Sequence, residues 1–463
     1  MNPLVAPAVP EPQSRTLCLC FDGTGNKFGE TTFVAIARVV RLIQHQNSNV
    51  VRFFRALIKD NPEQQLPYYQ AGIGTYNKRE FHTRTLTHLS SALDQAVALH
   101  LNDHVKDGYT FLMRNYRSGD KICLVGFSRG AYTARALAGM LYKQVGLLPP
   151  DNEQQVDFAF TMYQSTDISS AMTSKEFKDT FCMDVKVDFL GVWDTVSSVG
   201  IIPRALPYSA ACYNVTTFRH ALALDERRAR FRPNIWGEPT VREEVLDHDI
   251  QIELPEPDKR DDWVYEPIDR GVDVKEVWFS GCHADVGGGS HRTEEQESLS
   301  NITLRWMIKE CRSSKVGLFD KVYLKDIGID LDTDTSTDPR MNPNPESSGP
   351  PLHTLMLSRS DLHALLHPKD YIDALAWIYD QLNSVRFWWF LEYIPMLQTY
   401  QKVDGTWLRH RLPNYGGGRI IPHRNQTVLV HSSVRERMDK SQYQPKAQNW
   451  RDISDADMIR WVD

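Results

Sequence analysis

GDKICLVGFSRGAYTARALAG, residues 119–139, decides how the rest of the chain reads. Lys121–Val125 is a short apolar run with the look of a buried strand, and Ala131–Tyr142 is rich in Ala and reads as a helix. Between them Gly126-Phe127-Ser128-Arg129-Gly130 matches GxSxG. That pattern alone arises by chance in roughly one chain in ten of this length. Its setting between strand and helix is the one a nucleophilic serine needs. Gly126 and Gly130 remove side chains that would clash around a sharp elbow, and the helix start behind Ser128 offers free N–H groups and a positive dipole end. The competing reading is a plain turn with Ser128 as a helix cap.

Outward from this stretch the same alternation continues. Thr16–Phe21 (TLCLCF) predicts a strand, closed by the loop Asp22-Gly23-Thr24-Gly25-Asn26. Thr31–His45 and Leu86–His104 carry apolar residues at helical spacing, and Ser298–Cys311 also reads as a helix. Val50–Arg55, Pro67–Ile73, Val185–Trp193 and Val274–Phe279 read as strands. Strands alternating with helices, many of them continuous apolar runs, predict an α/β fold with a mostly parallel central sheet flanked by helices.

The expected organisation is a disordered, Pro-rich N-terminus (1–14), a body over 15–325 with an irregular insertion at about 200–273, an exposed linker (326–351) and a C-terminal extension (352–463) packed on the body. The extension begins with expected helices at Leu355–Leu366 and Tyr371–Asn383. It then carries the aromatic run Phe387-Trp388-Trp389-Phe390-Leu391-Glu392-Tyr393-Ile394-Pro395.

Composition narrows the function class. The 463 residues are 41% hydrophobic and 24% charged, enough for a sizeable core. A formal charge of −6 without a basic stripe argues against nucleic acid as a partner. Seven cysteines form no CxxC pair, which removes a zinc knuckle or a thioredoxin-type motif. MNPLVAPAVPEPQ has neither a charged n-region nor an apolar h-region, so no signal peptide is expected. There is no apolar window of ~20 residues to make a transmembrane helix. The expected location is cytoplasmic.

A nucleophilic serine needs a base, and the base an orienting carboxylate. Asp194 ends the strand DFLGVWD, and His283 follows Phe279 in the Gly-rich stretch Gly281–Gly289, so Ser128, Asp194 and His283 each follow a strand end in the order Ser, Asp, His. Capping roles are the alternative for Asp194 and His283. His220 and His248 are rival bases, both in the irregular insertion. The backbone N–H of Arg129 and the first loop, at Gly23 and Thr24, are the candidate oxyanion donors; a turn closed by an Asx cap is the loop's other reading. Asp330, Asp332 and Asp334 begin like a calcium loop, but Thr335 stands where Gly is required and Met341 where Glu is required. No HExxH or P-loop pattern occurs.

Taken together, FDGTGN (21–26), YYQAGIGT (68–75), the 119–139 stretch, FLGVWDTVSSVG (189–200), FRHALALDERRARFRP (218–233) and VWFSGCHADVGGG (277–289) resemble one family. It is the uncharacterised α/β-hydrolase domain shared by many fungal proteins and by bacterial type VI secretion phospholipase effectors. The resemblance implies an α/β-hydrolase-like fold and a Ser–Asp–His hydrolase carried here by Ser128, Asp194 and His283. For the bacterial members it implies lipid acyl-ester hydrolysis.

The expected protein is a serine esterase or lipase, phospholipase-like, needing no metal or organic cofactor. Its expected partner is an apolar acyl-ester or lipid substrate, with contact at a membrane surface as an option. Trp388, Trp389 and Phe390 are the candidate substrate-binding residues: their segment is expected to border the pocket and select apolar acyl groups. Two alternatives stay open: a non-catalytic lipid- or protein-binding module on a hydrolase scaffold, and a thioester or peptide hydrolase.

Overall fold

The computed structural model describes residues 14–23, 26–27, 30–31, 47–72, 86–165, 168–196, 206–237, 262–263, 271–289, 297–329, 368–401, 407–423 and 427–463. Eight strands form one sheet: β1 Thr16–Phe21, β2 Gln65–Gln70, β3 Lys121–Phe127, β4 Val187–Trp193, β5 Val215–Ala223, β6 Asp273–Phe279, β7 Val428–His431 and β8 Ile459–Val462. Their order is β8-β7-β6-β5-β4-β3-β1-β2, and every pairing is parallel. This is the expected α/β fold.

Parallel strands must be covered on both faces, because their connections return over the sheet as helices. The alternation within β1 shows both covers. Leu17, Leu19 and Phe21 pack with helices α2 (Leu86–Asn115) and α3 (Arg129–Gly139), whereas Cys18 and Cys20 pack with α1 (Asn49–Ala56) and α5 (Leu299–Ser313). All seven cysteines are free, and six are buried. Between them α4 (His283–Gly287) follows β6.

The first helix corrects an expectation. Val50–Arg55 reads as a strand from its β-branched and aromatic residues, yet Asn49–Ala56 is helical. Ser48 caps it, its Oγ accepting from the Val51 N–H at 3.3 Å. Asn49, Val50, Phe53 and Ala56 are buried, a helical spacing, and a strand would have placed Arg52 on the same face as Val50 and Phe54.

The second correction concerns the insertion. Residues 215–223 are not irregular: β5 lies inside the sheet between β4 and β6. Arg219 and His220 hide it in the sequence by breaking the apolar run. Both are satisfied by neighbours distant in sequence. Arg219 pairs with Asp273 at 2.6 Å and also with Glu310, while the His220 ring meets Glu276 Oε1 at 2.9 Å.

The sheet also does not stop at β6. The stretch 352–463 contributes β7 and β8, with a third apolar cluster around Trp278, Ile421, Val430 and Trp450. Residues 371–383 form two short helices, Pro368–Ala374 and Gln381–Ser384, instead of one. A separate antiparallel sheet joins Asp262–Trp263 to Met396–Gln401 and Trp407–Leu412. Residues 1–13 of the expected N-terminal tail (1–14), residues 32–45 of the helix expected at 31–45, the helix at 355–366, most of the 326–351 stretch, Thr24 and His248 lie outside the described residues; Thr31 itself sits in a two-residue strand with Glu30. Among the described residues no helix is long and apolar enough to cross a membrane.

Candidate active site

In a parallel sheet every strand points its C-terminal end to the same edge. There lie Asp22 after β1, Ser128 after β3, Asp194 after β4, Asp225 and Glu226 after β5, and His283 after β6. The strand order reverses between β1 and β3, and such a reversal opens a crevice in open α/β sheets.

The elbow at Ser128 is strained. Its φ is 58° and ψ −119°, a left-handed backbone that residues with a side chain rarely adopt. Two glycines make it sterically feasible. A Cβ on Gly130 would sit 2.2 Å from the Phe21 carbonyl oxygen, and one on Gly126 would sit 2.5 Å from the Gly130 carbonyl oxygen. The Ser128 side chain makes no capping bond to α3. Its Oγ lies 2.9 Å from His283 Nε2, and His283 Nδ1 lies 2.6 Å from Asp194 Oδ2. The structure thus brings the three expected residues into one hydrogen-bonded line. All three are buried.

His283 is aimed by its neighbours. It opens α4, whose preceding Cys282 N–H donates to Asp285 Oδ2 at 2.8 Å. Position 281 needs glycine twice over: its φ is 107°, and a Cβ there would sit 2.5 Å from Asp285 Cβ. The imidazole packs at a tilt against Phe127, with centroids 4.7 Å apart, and edge-on against Phe231, 4.8 Å apart. Burial pushes its pKa below the usual imidazole range, against the opposing pull of Asp194, with the Arg228 charge adding to the drop. A neutral ring with Nδ1–H donated to Asp194 leaves Nε2 as an acceptor toward Ser128.

The rival base His220 plays a supporting part. Its Nε2 accepts the Thr195 N–H at 3.1 Å, so its Nδ1 carries the proton shared with Glu276. This fixes the backbone beside Asp194.

Asp194 is fully buried with φ 40°. Its Oδ1 accepts from the Ala223 N–H at 2.9 Å and from Arg419 Nη1 at 2.6 Å; its Oδ2 accepts from His283 and from Arg419 Nη2 at 2.8 Å. Burial alone would raise its pKa. The Arg419 charge and bonds, with the His283 bond, outweigh that and hold the carboxyl well below the usual range. Arg419 was not singled out by sequence reading; the only signal is its place after Gly416-Gly417-Gly418.

Glu226 was also missed. It accepts the His283 N–H at 3.2 Å and pairs with Arg228 at 2.8 Å. Burial would raise its pKa, but Arg228 brings it down to about 2. Arg228 stacks over Phe231 at 3.5 Å and over Trp388 at 4.9 Å.

The other expected residues separate. Arg129 is the first residue of α3, beside Ser128. The Gly23 N–H is engaged: it donates to Asp22 Oδ1 at 2.7 Å, because that buried carboxylate needs donors and takes a second from Tyr69 at 2.8 Å. In helix α6 (Phe387–Glu392), half-buried Trp388 meets Phe231 edge-on with centroids 5.5 Å apart. Trp389 instead packs where a Cβ on Gly416 would sit 2.8 Å away, and Phe390 is 67% exposed. Glu392 is buried and binds the Ala229 N–H at 2.7 Å and Asn414 Nδ2 at 2.6 Å, which docks α6 beside the site. Among the described residues no group of three or more His, Cys, Asp or Glu is placed to hold a metal.

The profile of the type VI secretion phospholipase effector Tle1-like catalytic domain matches residues 15–310. The chain belongs to this family. The matched residues correspond to that family's catalytic domain, and β7, β8, α6 and Arg419 lie beyond them. An uncharacterized protein of Saccharomyces cerevisiae is 26% identical, over 93% of this chain and 80% of the yeast protein. Two solved structures show a looser likeness, each at 18% identity. One is an uncharacterized Pseudomonas aeruginosa protein (TM-score 0.36, covering 69% of this chain and 49% of that one). The other is a Tle1 effector bound to the VgrG spike of the type VI secretion system (TM-score 0.31, covering 61% and 52%). The chain spans about half the length of either.

Proposed function

We propose that this chain is a serine hydrolase of lipid-like carboxylic esters, acting through Ser128, His283 and Asp194 and a covalent acyl-enzyme. The observation that carries the reading is the line from Ser128 Oγ through His283 to Asp194, with spacings of 2.9 and 2.6 Å. Ser128 Oγ attacks the acyl carbonyl as its proton moves to His283 Nε2. The tetrahedral intermediate collapses, and the leaving alcohol takes that proton from Nε2. A water then repeats the sequence on the acyl-enzyme and releases the acid. The Arg129 N–H, at the start of α3, is the proposed oxyanion donor, a contribution typically worth about 3 kcal/mol. Gly23 joins it only if its bond to Asp22 opens. The family supports a lipid ester as substrate.

Labelling with a fluorophosphonate tests the reading, followed by mass spectrometry of the adduct. Modification of Ser128 in folded protein, with turnover of phospholipid vesicles, supports it. Absence of labelling with intact fold favours a binding module. Matched ester, thioester and amide substrates separate the bond classes.

The depressed His283 pKa has a consequence for rate. The base is active when neutral, so the acidic limb of the labelling rate is expected below the usual imidazole value of about 6.5. A limb above pH 7 contradicts it.

Trp388 reaches the site through Phe231, so Trp388→Ala should weaken long-chain esters more than short ones, by about 1–3 kcal/mol in kcat/KM. Equal losses for both chain lengths would assign α6 to packing alone.

A further inference from the structure

We infer that Arg419 is a positioning residue of this active site, locking the Asp194 carboxylate in the plane from which it aims His283. This rests on the hydrolase reading above.

The geometry is that of a fork closed on a carboxylate. Arg419 Nη1 donates to Asp194 Oδ1 and Nη2 to Asp194 Oδ2, at 2.6 and 2.8 Å. The two remaining terminal N–H groups go to the Ala223 carbonyl at 3.0 Å and the Phe231 carbonyl at 2.6 Å. All four terminal donors are therefore spent, on the ends of three separate segments. Phe231 is the residue whose ring packs on His283, so one guanidinium holds both the carboxylate and the aromatic wall of the imidazole. The residue is buried, at 1% exposure. A lysine could not copy this, since a point charge on a flexible stem lacks the planar fork.

The chain invests in bringing Arg419 here. Gly418, just before it, runs close against other backbone: a Cβ there would sit 1.9 Å from the Lys446 carbonyl oxygen. Asn414, five residues before Arg419, is tied to Glu392 at 2.6 Å and to the Arg227 carbonyl at 2.7 Å. The segment 412–421 lies outside the matched family residues 15–310, so the site of this chain is completed from its C-terminal stretch.

Arg419 also sets the charge His283 sees. Without it, Asp194 would face His283 with its charge uncompensated, and the imidazolium would gain stability. The other charged groups around the pair are Glu226 and Arg228 at His283, with Glu226 and the buried Arg232 also acting on Arg419; His220 beside Asp194 is neutral. None of them replaces the fork.

The test follows the second-order rate of Ser128 labelling by a fluorophosphonate across pH, in the full chain, for wild type, Arg419→Gln and Arg419→Lys. Arg419→Gln should lose about 10²-fold in rate through misplacement of the imidazole. Its acidic limb should move up by about one pH unit. Arg419→Lys should lose a comparable factor, because the fork is gone, while its limb stays near the wild-type position, because the charge remains. A role confined to stability would lower the yield of folded protein and leave rate and limb of the folded fraction unchanged, which overturns the inference. Should Arg419→Gln fail to fold, Arg419→Lys decides alone: a rate within threefold of wild type overturns the positioning role. Absence of labelling in wild type would instead overturn the hydrolase reading, so the two failures are distinct.

Discussion

Replacing Ser128 with alanine is expected to leave the protein folded and to reduce ester turnover by at least ~10³. Alanine is smaller than serine, and the Ser128 hydroxyl makes no bond to the helix it precedes. The backbone bonds of the elbow, from the Ser128 N–H to the Trp193 carbonyl and from the Tyr132 N–H to the Ser128 carbonyl, remain. The strained φ of 58° persists with either residue, so thermal stability should change by less than about 1 kcal/mol. The hydroxyl that lies 2.9 Å from His283 Nε2 is gone, and with it the covalent step. Turnover of p-nitrophenyl esters and calorimetric unfolding check the two halves. A variant that hydrolyses esters at the wild-type rate would remove Ser128 from the mechanism.

Asp194→Asn is expected to damage both activity and stability. The amide is nearly the size of the carboxylate, but one of its two polar atoms is now a donor. Asp194 accepts from four donors, two on each oxygen, so in either orientation the amide nitrogen meets an Arg419 N–H, and in one of them it also meets His283. Facing His283 it imposes the wrong tautomer, a change that costs about 10⁴ in rate where the same triad has been altered this way. In both orientations the buried guanidinium loses its Asp194 counter-charge, a loss of about 3–5 kcal/mol for a buried pair broken on one side.

The acid limb of stability should change as well. The Asp194 pKa is depressed in the fold, so its contribution is complete above the unfolded value of about 3.9 and is lost as pH falls toward the folded value. Urea unfolding between pH 7 and pH 3 should therefore show a shallower decline in the Asn variant than in wild type. An Asn variant as stable as wild type at pH 7 would mean that Arg419 finds its counter-charge elsewhere, Glu226 being the other carboxylate whose charge acts on it.

Local chemistry alone marks much of the site. Gly126-Phe127-Ser128-Arg129-Gly130 can be recognised because an elbow this sharp demands glycine at both shoulders, and the demand is met within five residues. Asp194 and His283 can be found because a parallel sheet delivers the end of every strand to one edge, so strand ends in chain order already name candidates. The strands β1, β3 and β4 are largely apolar runs and β6 ends in one, Val277–Phe279, so their length and composition suffice to read them.

Tertiary structure decides what depends on partners distant in the chain. β5 escapes sequence reading because Arg219 and His220 are tolerated inside a sheet only through Asp273, Glu310 and Glu276. Helix α1 escapes because β-branched and aromatic residues favour a strand until the Ser48 cap and the buried spacing of Asn49, Val50, Phe53 and Ala56 outweigh them. Trp388 and Trp389 are neighbours in one aromatic run, yet one turns toward Phe231 and the other packs on Gly416, a distinction only the docking of Glu392 makes. Arg419 stands 225 residues from the carboxylate it holds. No spacing encodes such a pair, because a buried charge declares its partner only once the fold has excluded water from both.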